Sequence, residues 1–281
     1  MYDGTSPSDR PNKTPSLQRA RGRARIEVRS DGDRTRLTDL YQDGCAKLRL
    51  PRVYDGSGIE AVLLNTAGGL TGGDVVETEA VCGAGAQLTL TSQACERVYR
   101  AAQGTARVST TLSAGAGGSL HWLPQETILF DGGALDRALS VDLQGDASFL
   151  AVEALVLGRV ASGETVGTGT FRDSWRIRRD GKLIFADAAR LEGDIDGIAA
   201  GPAVMDGMKA VATVVLAAPG AAGCLADSRD ALAALPSAGA SALDDVLVCR
   251  LIARDTRELR GHLVPLLSML AGRGLPRVWH L

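Results

Sequence analysis

Apolar and polar residues alternate with a period of two along most of the chain. In residues 24–29 (ARIEVR), Ile26 and Val28 fall on one side and Arg25, Glu27 and Arg29 on the other, and SDGD at 30–33 then turns the chain. Residues 86–93 (AQLTLTSQ) set Ala86, Leu88 and Leu90 against Gln87, Thr89 and Thr91, and residues 106–113 line up Val108, Thr110 and Leu112. Residues 171–185 place Phe171, Trp175 and Ile177 on one face and turn at Asp180-Gly181. Successive side chains of a strand point to opposite faces, so each stretch suits a sheet with one wet face.

Helical spacing takes over only near the end. Leu259, Leu263, Leu266, Leu267 and Leu270 predict a helix over 255–272, with Asp255 and Glu258 as a capping box, Gly272 as the stop and Pro265 as a site of kinking. A shorter helix is expected over 226–235, flanked by strands at 209–218 and 245–253. Residues 1–14, polar and rich in Pro, Ser and Asp, read as a disordered tail. Residues 15–281 are expected to form a single domain, with a β body over 20–190 and a mixed α/β part over 191–281. No repeat of fixed period stands out.

Composition narrows the class. An apolar content of 45% excludes global disorder, and a net charge of −2 gives no global pull toward nucleic acid or anionic lipid. Five cysteines (Cys45, Cys82, Cys95, Cys224 and Cys249), odd in number, widely spaced and without a CxxC, argue against a disulfide framework and a zinc knuckle. No signal core and no apolar run of membrane-spanning length is present, so the expected compartment is the cytoplasm.

The candidate chemistry begins with LLNTAGGLTGGDVV at 63–76. A phosphate loop ends in GK[ST]; here the ending is Gly72-Gly73-Asp74, whose carboxylate repels phosphate, and a strand pattern follows instead of a helix. The glycines allow positive φ and close backbone approach, which leaves Asp74 to be explained. Two further acids sit in apolar strands: Glu153 in FLAVEALVLG and Asp187 in LIFADAARL. A buried carboxylate needs a partner or a task. Either Arg159 and Arg190, close in sequence, pair with these acids, or Asp74, Glu153 and Asp187 line one water-filled space where oxygen ligands hold a divalent cation weakly. No GxSxG or HExxH occurs, and His121, His262 and His280 are scattered. Glu126, Glu153 and Glu164 leave one alternative, a β-rich carbohydrate-active enzyme or binding module, although three Trp and four Tyr are few for a sugar cleft.

Five segments then occur in order: NTAGGLTGGD (65–74), LTSQACERVYRA (90–101), HWLPQETILFDGG (121–133), EALVLGRVASGE (153–164) and LPRVWHL (275–281). Together they resemble the UreD/UreH family of urease accessory proteins over residues 18–281. The resemblance implies a mainly β fold, a β-superhelix of stacked strands with a few helices toward the C-terminus. It implies a chaperone or scaffold with no catalysis of its own, needed for nickel insertion into urease. Its partners would be the urease apoprotein and accessory protein F, and through F the GTPase G, with no nucleic acid and no membrane. No resident cofactor is implied, only transient Ni²⁺ in an internal acidic tunnel, with Asp74, Glu153 and Asp187 as its contacts. Gly68, Gly69, Gly72, Gly73, Tyr99, Arg100, Trp122, Pro124, Gln125, Gly158, Arg159 and Glu164 match further family motif positions. The sequence departs from the pattern at DAAR, where the arginine is displaced to Arg190, at Arg97, where a lysine is common, and in the thinned approach RLPRVYDGSG. Carboxylates without a His/Cys cluster suit passage of nickel more than storage. The helix over 255–272 and the PRVWHL tail are the expected contact with F, set against plain core packing.

Overall fold

The computed structural model describes residues 18–53, 58–159 and 162–280, so the tail expected at 1–14 lies outside the described residues. β1 (Arg21–Asp31) and β2 (Arg34–Gly44) form an antiparallel hairpin through the expected turn, and β3 (Ala46–Arg49) follows. The chain then winds back and forth between two sheets. β4 (Ile59–Asn65), β6 (Gln87–Ser92), β9 (Ser119–Leu123) and β12 (Ser148–Leu157) are parallel neighbours in one sheet, here called the helix-side sheet. β5 (Val75–Cys82), β8 (Ala106–Ala114), β11 (Ala134–Leu143) and β13 (Gly169–Arg179) are parallel neighbours in the other, the outer sheet. Two short strands, β7 (Glu96–Val98) and β10 (Thr127–Leu129), extend the helix-side sheet.

Antiparallel strands finish the sheets. β14 (Lys182–Gly193) pairs with β13 through the hairpin at Asp180-Gly181, where Asp180 takes a φ of 49° and Gly181 a φ of 77°. After the short helix α1 (Ile195–Ala199), β15 (Ala210–Ala217) pairs with β12, and β17 (Val246–Ala253) lies between β15 and β16 (Ala238–Leu243). The expected β-superhelix with helices toward the C-terminus is the fold observed. The coils do repeat, but β8 aligns with β5, β11 with β8 and β13 with β11 after connections of unequal length, which hides the repeat from a fixed-period reading.

Parity explains the packing. Ala24, Ile26, Val28, Leu112, Leu139, Val141, Trp175 and Ile177 of the outer sheet face Leu88, Leu90, Leu120, Phe149 and Ala151 of the helix-side sheet. A second inter-sheet cluster gathers Leu70, Val98, Leu129, Leu135, Leu155, Leu157 and Phe171. β12 is buried on both faces, so its sequence is a continuous apolar run and not an alternation. Its other face, Leu150, Val152, Ala154 and Val156, packs in a third cluster with α2 (Leu225–Leu232) and α3 (Thr256–Ala271).

α3 runs uninterrupted through Pro265 and ends at Gly272, whose φ is 61°. Asp255 caps it by accepting from the Glu258 amide at 2.8 Å, but Glu258 returns to the amide of Arg254 at 2.7 Å, so only half of the expected capping box forms. Leu259, Leu263, Leu266 and Leu267 are fully buried against the sheet, which commits the apolar stripe of this helix to the core.

Candidate functional site

Two breaks in the helix-side sheet create an internal space. β6 gives way to β7 across residues 93–95, and β9 gives way to β10 across 124–126. β9 pairs with β12 at 148–151 and β10 pairs with it at 155–157, so the ladder is open beside Val152, Glu153 and Ala154. Opposite this gap the outer sheet replaces aliphatic residues with Thr78, Thr110, Arg137 and Asp173, all at inward-facing register positions. The result is a cavity of about 360 Å³, lined among others by Cys95, Trp122, Gln125, Arg137 and Glu153. A space of this size has room for on the order of ten waters.

The chemistry of the cavity centres on Arg137. Its Nε and Nη2 grip Asp173 at 3.1 and 2.8 Å, and its Nη1 pairs with Glu153 and donates to Thr127 Oγ1 at 3.2 Å. The Trp122 indole donates to Glu153 Oε1 at 2.8 Å, and the Trp175 indole donates to Asp173 Oδ2 at 3.2 Å. Phe171 covers the guanidinium at 5.5 Å. One cation faces two carboxylates, so the cluster carries one excess negative charge away from bulk water. Burial opposes the charge on Arg137, but Asp173 and Glu153 outweigh it and hold the guanidinium above its ordinary pKa. Burial, reinforced by the Asp173 charge, pushes the Glu153 carboxyl up despite the opposing Arg137.

The structure separates the three acids grouped above. Glu153 lines the cavity; Asp74 and Asp187 do not belong to its wall. Asp74 is 3% exposed and caps the glycine loop: Oδ1 accepts from the Ala20 amide and Oδ2 from the Thr71 amide, both at 2.8 Å. Asp187, on the edge strand β14 of the outer sheet, pairs with Arg250 on β17 of the helix-side sheet at 2.8 Å. The sequence-local pairings do not form. Arg159 lies beyond the end of β12 and serves Glu164 at 2.8 Å; Arg190 serves Glu192, because Asp187 and Arg190, three apart in β14, point to opposite faces. The acid set of the carbohydrate alternative is likewise dispersed. Glu126 is fully buried under Arg260 of α3, at 3.0 Å, and Glu164 lies on an outer loop.

The remaining motif residues divide between two places. Trp122, Pro124 and Gln125 line the cavity with Glu153. The others meet at one edge of the solenoid, where loops 66–74, 99–105, 130–133 and 158–168 cross from the helix-side sheet to the outer sheet. These loops are bonded in series: Tyr99 N donates to Leu70 O at 2.8 Å, Ala101 N to Gly132 O at 2.9 Å and Gly132 N to Thr168 O at 2.7 Å. Arg100 pairs with Asp131, Tyr99 meets the Phe130 ring edge-on at 5.2 Å, and Arg159 lies over the same ring at 5.0 Å. At Gly72 a Cβ would stand 2.4 Å from the Gln103 carbonyl oxygen, which is why this loop position is glycine. Gly68, Gly69 and Gly73 adopt positive φ in the same loop, and Gly158 does so where its own loop leaves β12.

Arg137 and Asp173 were absent from the residues singled out by sequence, yet both carry a signal. Leu135, Arg137, Leu139 and Val141 share one parity, as do Phe171, Asp173, Trp175 and Ile177. A charge at a core-parity position is the mark of a buried pair.

Fold and site define a two-sheet β-solenoid protein whose cavity is built around a buried ion cluster. The chain belongs to the UreD family of urease accessory proteins: the family described as UreD urease accessory protein matches residues 20–280. It is 50% identical to the urease accessory protein UreD of Rhizobium etli over 265 residues, covering 94% of this chain and 96% of that protein. It is 50% identical to the Sinorhizobium medicae protein of the same name, covering 94% and 97%, and 48% identical to that of Agrobacterium fabrum, covering 94% and 92%.

Proposed function

We propose that the chain acts in urease maturation as a non-catalytic cytoplasmic scaffold. It bridges the urease apoprotein and the complex of accessory proteins F and G, and it passes Ni²⁺ toward the urease active site through the cavity between its sheets. Family membership supports the maturation role. The observation that carries the nickel path is the internal cavity onto which the buried carboxylate of Glu153 opens. Among the described residues no group of three or more His, Cys, Asp and Glu side chains is gathered as a metal site. Two carboxylates, Glu96 and Glu153, line the cavity beside Arg97 and Arg137, too few oxygen ligands for storage and suited to a cation in transit. Asp74 and Asp187 stand outside the cavity wall, where Asp74 holds the glycine loop and Asp187 bonds β14 to β17. Among the described residues no helix is long and apolar enough to cross a membrane.

The test is co-expression of urease with its accessory proteins and either the parent chain or Glu153→Gln. Nickel per urease active site and urea hydrolysis are measured. The reading expects full complexes with the variant and urease poor in nickel. Full nickel loading with Glu153→Gln removes the path through this cavity. Full loading without the chain removes the maturation role.

A further inference from the structure

The way Arg137 divides its donors is unequal, and the inequality bears on how Glu153 would handle a cation. Arg137 and Asp173 are directly opposed in neighbouring strands of the outer sheet, and the guanidinium holds both oxygens of Asp173 through Nε and Nη2. Glu153 stands on the helix-side sheet, across the space, and receives only Nη1, which also serves Thr127. Letting go of Glu153 therefore leaves Arg137 with its two-point grip on Asp173 and strands no buried guanidinium. The Asp173 end is further fixed by the Trp175 indole, and the Glu153 end by the Trp122 indole.

We propose that Arg137 is a built-in counter-ion that competes with an incoming divalent cation for Glu153, so that the cation is passed on and not kept. This rests on the nickel-path reading above. The excess charge of the cluster is one negative unit, enough to draw a cation inward but too little to neutralise a doubly charged one. With the cation on Glu153, Arg137 remains beside it on Asp173 and repels it. When the cation leaves, Nη1 returns to Glu153. Arg137 is thus a positioning residue: it sets how long Glu153 holds its cargo without touching the cargo.

Two variants of the full chain test this with opposite signs. Arg137→Gln combined with Asp173→Asn removes the guanidinium and one carboxylate together and keeps hydrogen-bonding groups in place. In equilibrium dialysis against nickel chloride this variant is expected to bind nickel about tenfold more tightly than the parent: the net charge of the cluster is unchanged, and the gain is the scale of freeing Glu153 from one charge-assisted hydrogen bond. Adding Glu153→Gln is expected to abolish the gain. Asp173→Asn alone turns Arg137 wholly onto Glu153, and is expected to weaken nickel binding and to slow urease loading although Glu153 is intact. Circular dichroism and cooperative unfolding establish that each variant is folded; a purely structural role for Arg137 would move the unfolding midpoint and leave nickel affinity unchanged. A folded double variant without tighter binding, beside a Glu153→Gln chain that loads urease poorly, overturns the counter-ion and leaves the path standing. If Glu153→Gln also loads urease fully, the path falls and the counter-ion with it. Should the double variant fail to fold, unchanged binding and loading by Asp173→Asn overturns the proposal by itself.

Discussion

On one edge of the solenoid the crossings between sheets are the four-residue turns 83–86, 115–118 and 144–147; on the other they are the loops 66–74, 99–105, 130–133 and 158–168. Both edges span the same gap between two packed sheets, and four residues suffice for it. At 66–74 and 99–105 the loop edge is therefore longer than topology demands, while 130–133 has four residues like the turns. The loop edge carries Tyr99, Arg100, Phe130, Asp131, Arg159 and Glu164 in one interlocked surface, whereas the turn edge offers short, Gly-containing turns. Loops longer than their connection requires are where contacts with other molecules are usually made.

The two edges also use glycine differently, and this gives the largest predicted contrast. At Gly72 a Cβ would meet two backbone oxygens, of Gln103 at 2.4 Å and of Gly104 at 2.5 Å. Neither can move without moving its loop, so Gly72→Ala is expected to cost about 3 kcal/mol, as overpacking against rigid backbone does. At Gly117, on the turn edge, φ is 67° and the nearest atom to an added Cβ is 3.8 Å away. Only the left-handed conformation opposes a side chain there, so Gly117→Ala is expected to cost about 1 kcal/mol. Thermal unfolding of the two variants checks the ratio; equal losses would mean that the loop edge is no more tightly interlocked than the turn edge.

Asp74 sharpens the same point. Its carboxylate satisfies the amides of Ala20 and Thr71, which ties the start of β1 to the glycine loop. Asp74→Ala leaves both amides without their acceptor in a buried place, at an expected cost of about 2 kcal/mol. The measurement is again the unfolding midpoint. A variant that unfolds like the parent and yet fails in urease maturation would show that Asp74 serves the cargo and not the loop.

How much of this was legible in the sequence follows from the same residues. Parity exposed the strands, the hairpin at Asp180-Gly181 and α3, because a side chain's face is a local property. It did not expose which strands pair, since parity names a face and not a neighbour, and coils of unequal length blur the repeat. Glu153 was recognisable as an acid in need of a partner, but its partner Arg137 comes from the opposite sheet, beyond the reach of local spacing. Asp74 stood out for the same reason, while its amide partner at Ala20 lies 54 residues away. The signal that went unused was parity itself, applied to charges instead of to leucines: it places Arg137 and Asp173 inside.

Between the two edges, the sheet face under the C-terminal segment adds a pH dependence that neither edge is expected to share. His121 on β9 is 6% exposed, and Arg273, following α3, donates to its Nδ1 at 3.1 Å. Arginine has no acceptor, so Nδ1 carries the lone pair and the ring is neutral. Burial, with the Arg273 charge adding to it, lowers the pKa from 6.5 to about 3. The unfolded chain takes up a proton below pH 6.5 that the folded chain refuses until about pH 3. The stability this group contributes is therefore present above pH 6.5 and is lost as pH falls toward 3, with a slope of up to about 1.4 kcal/mol per pH unit. Denaturant titrations between pH 6.5 and 5 are expected to show this loss in the parent and a shallower one in His121→Gln. Equal slopes would assign the loss to carboxylates elsewhere.

The smallest effect belongs to the counterpart of Asp74 on the turn edge. Asp146 Oδ1 accepts from the Gly117 amide of the preceding coil at 2.7 Å, and Asp180 Oδ1 does the same for Gly145 at 3.0 Å. These contacts tie one coil to the next as Asp74 ties the glycine loop to β1, but Asp146 is exposed and water can replace it at the amide. Asp146→Ala is accordingly expected to cost about 0.5 kcal/mol, the net worth of an exchangeable hydrogen bond, against about 2 kcal/mol for Asp74→Ala. The ratio is the informative quantity, read from denaturant midpoints at constant slope. If Asp146→Ala costs as much as Asp74→Ala, the turn edge is clamped as firmly as the loop edge, and burial is not what distinguishes them. If the ratio holds, a carboxylate of the same type performs the same bonding on both edges, and only its removal from water makes it matter at one of them.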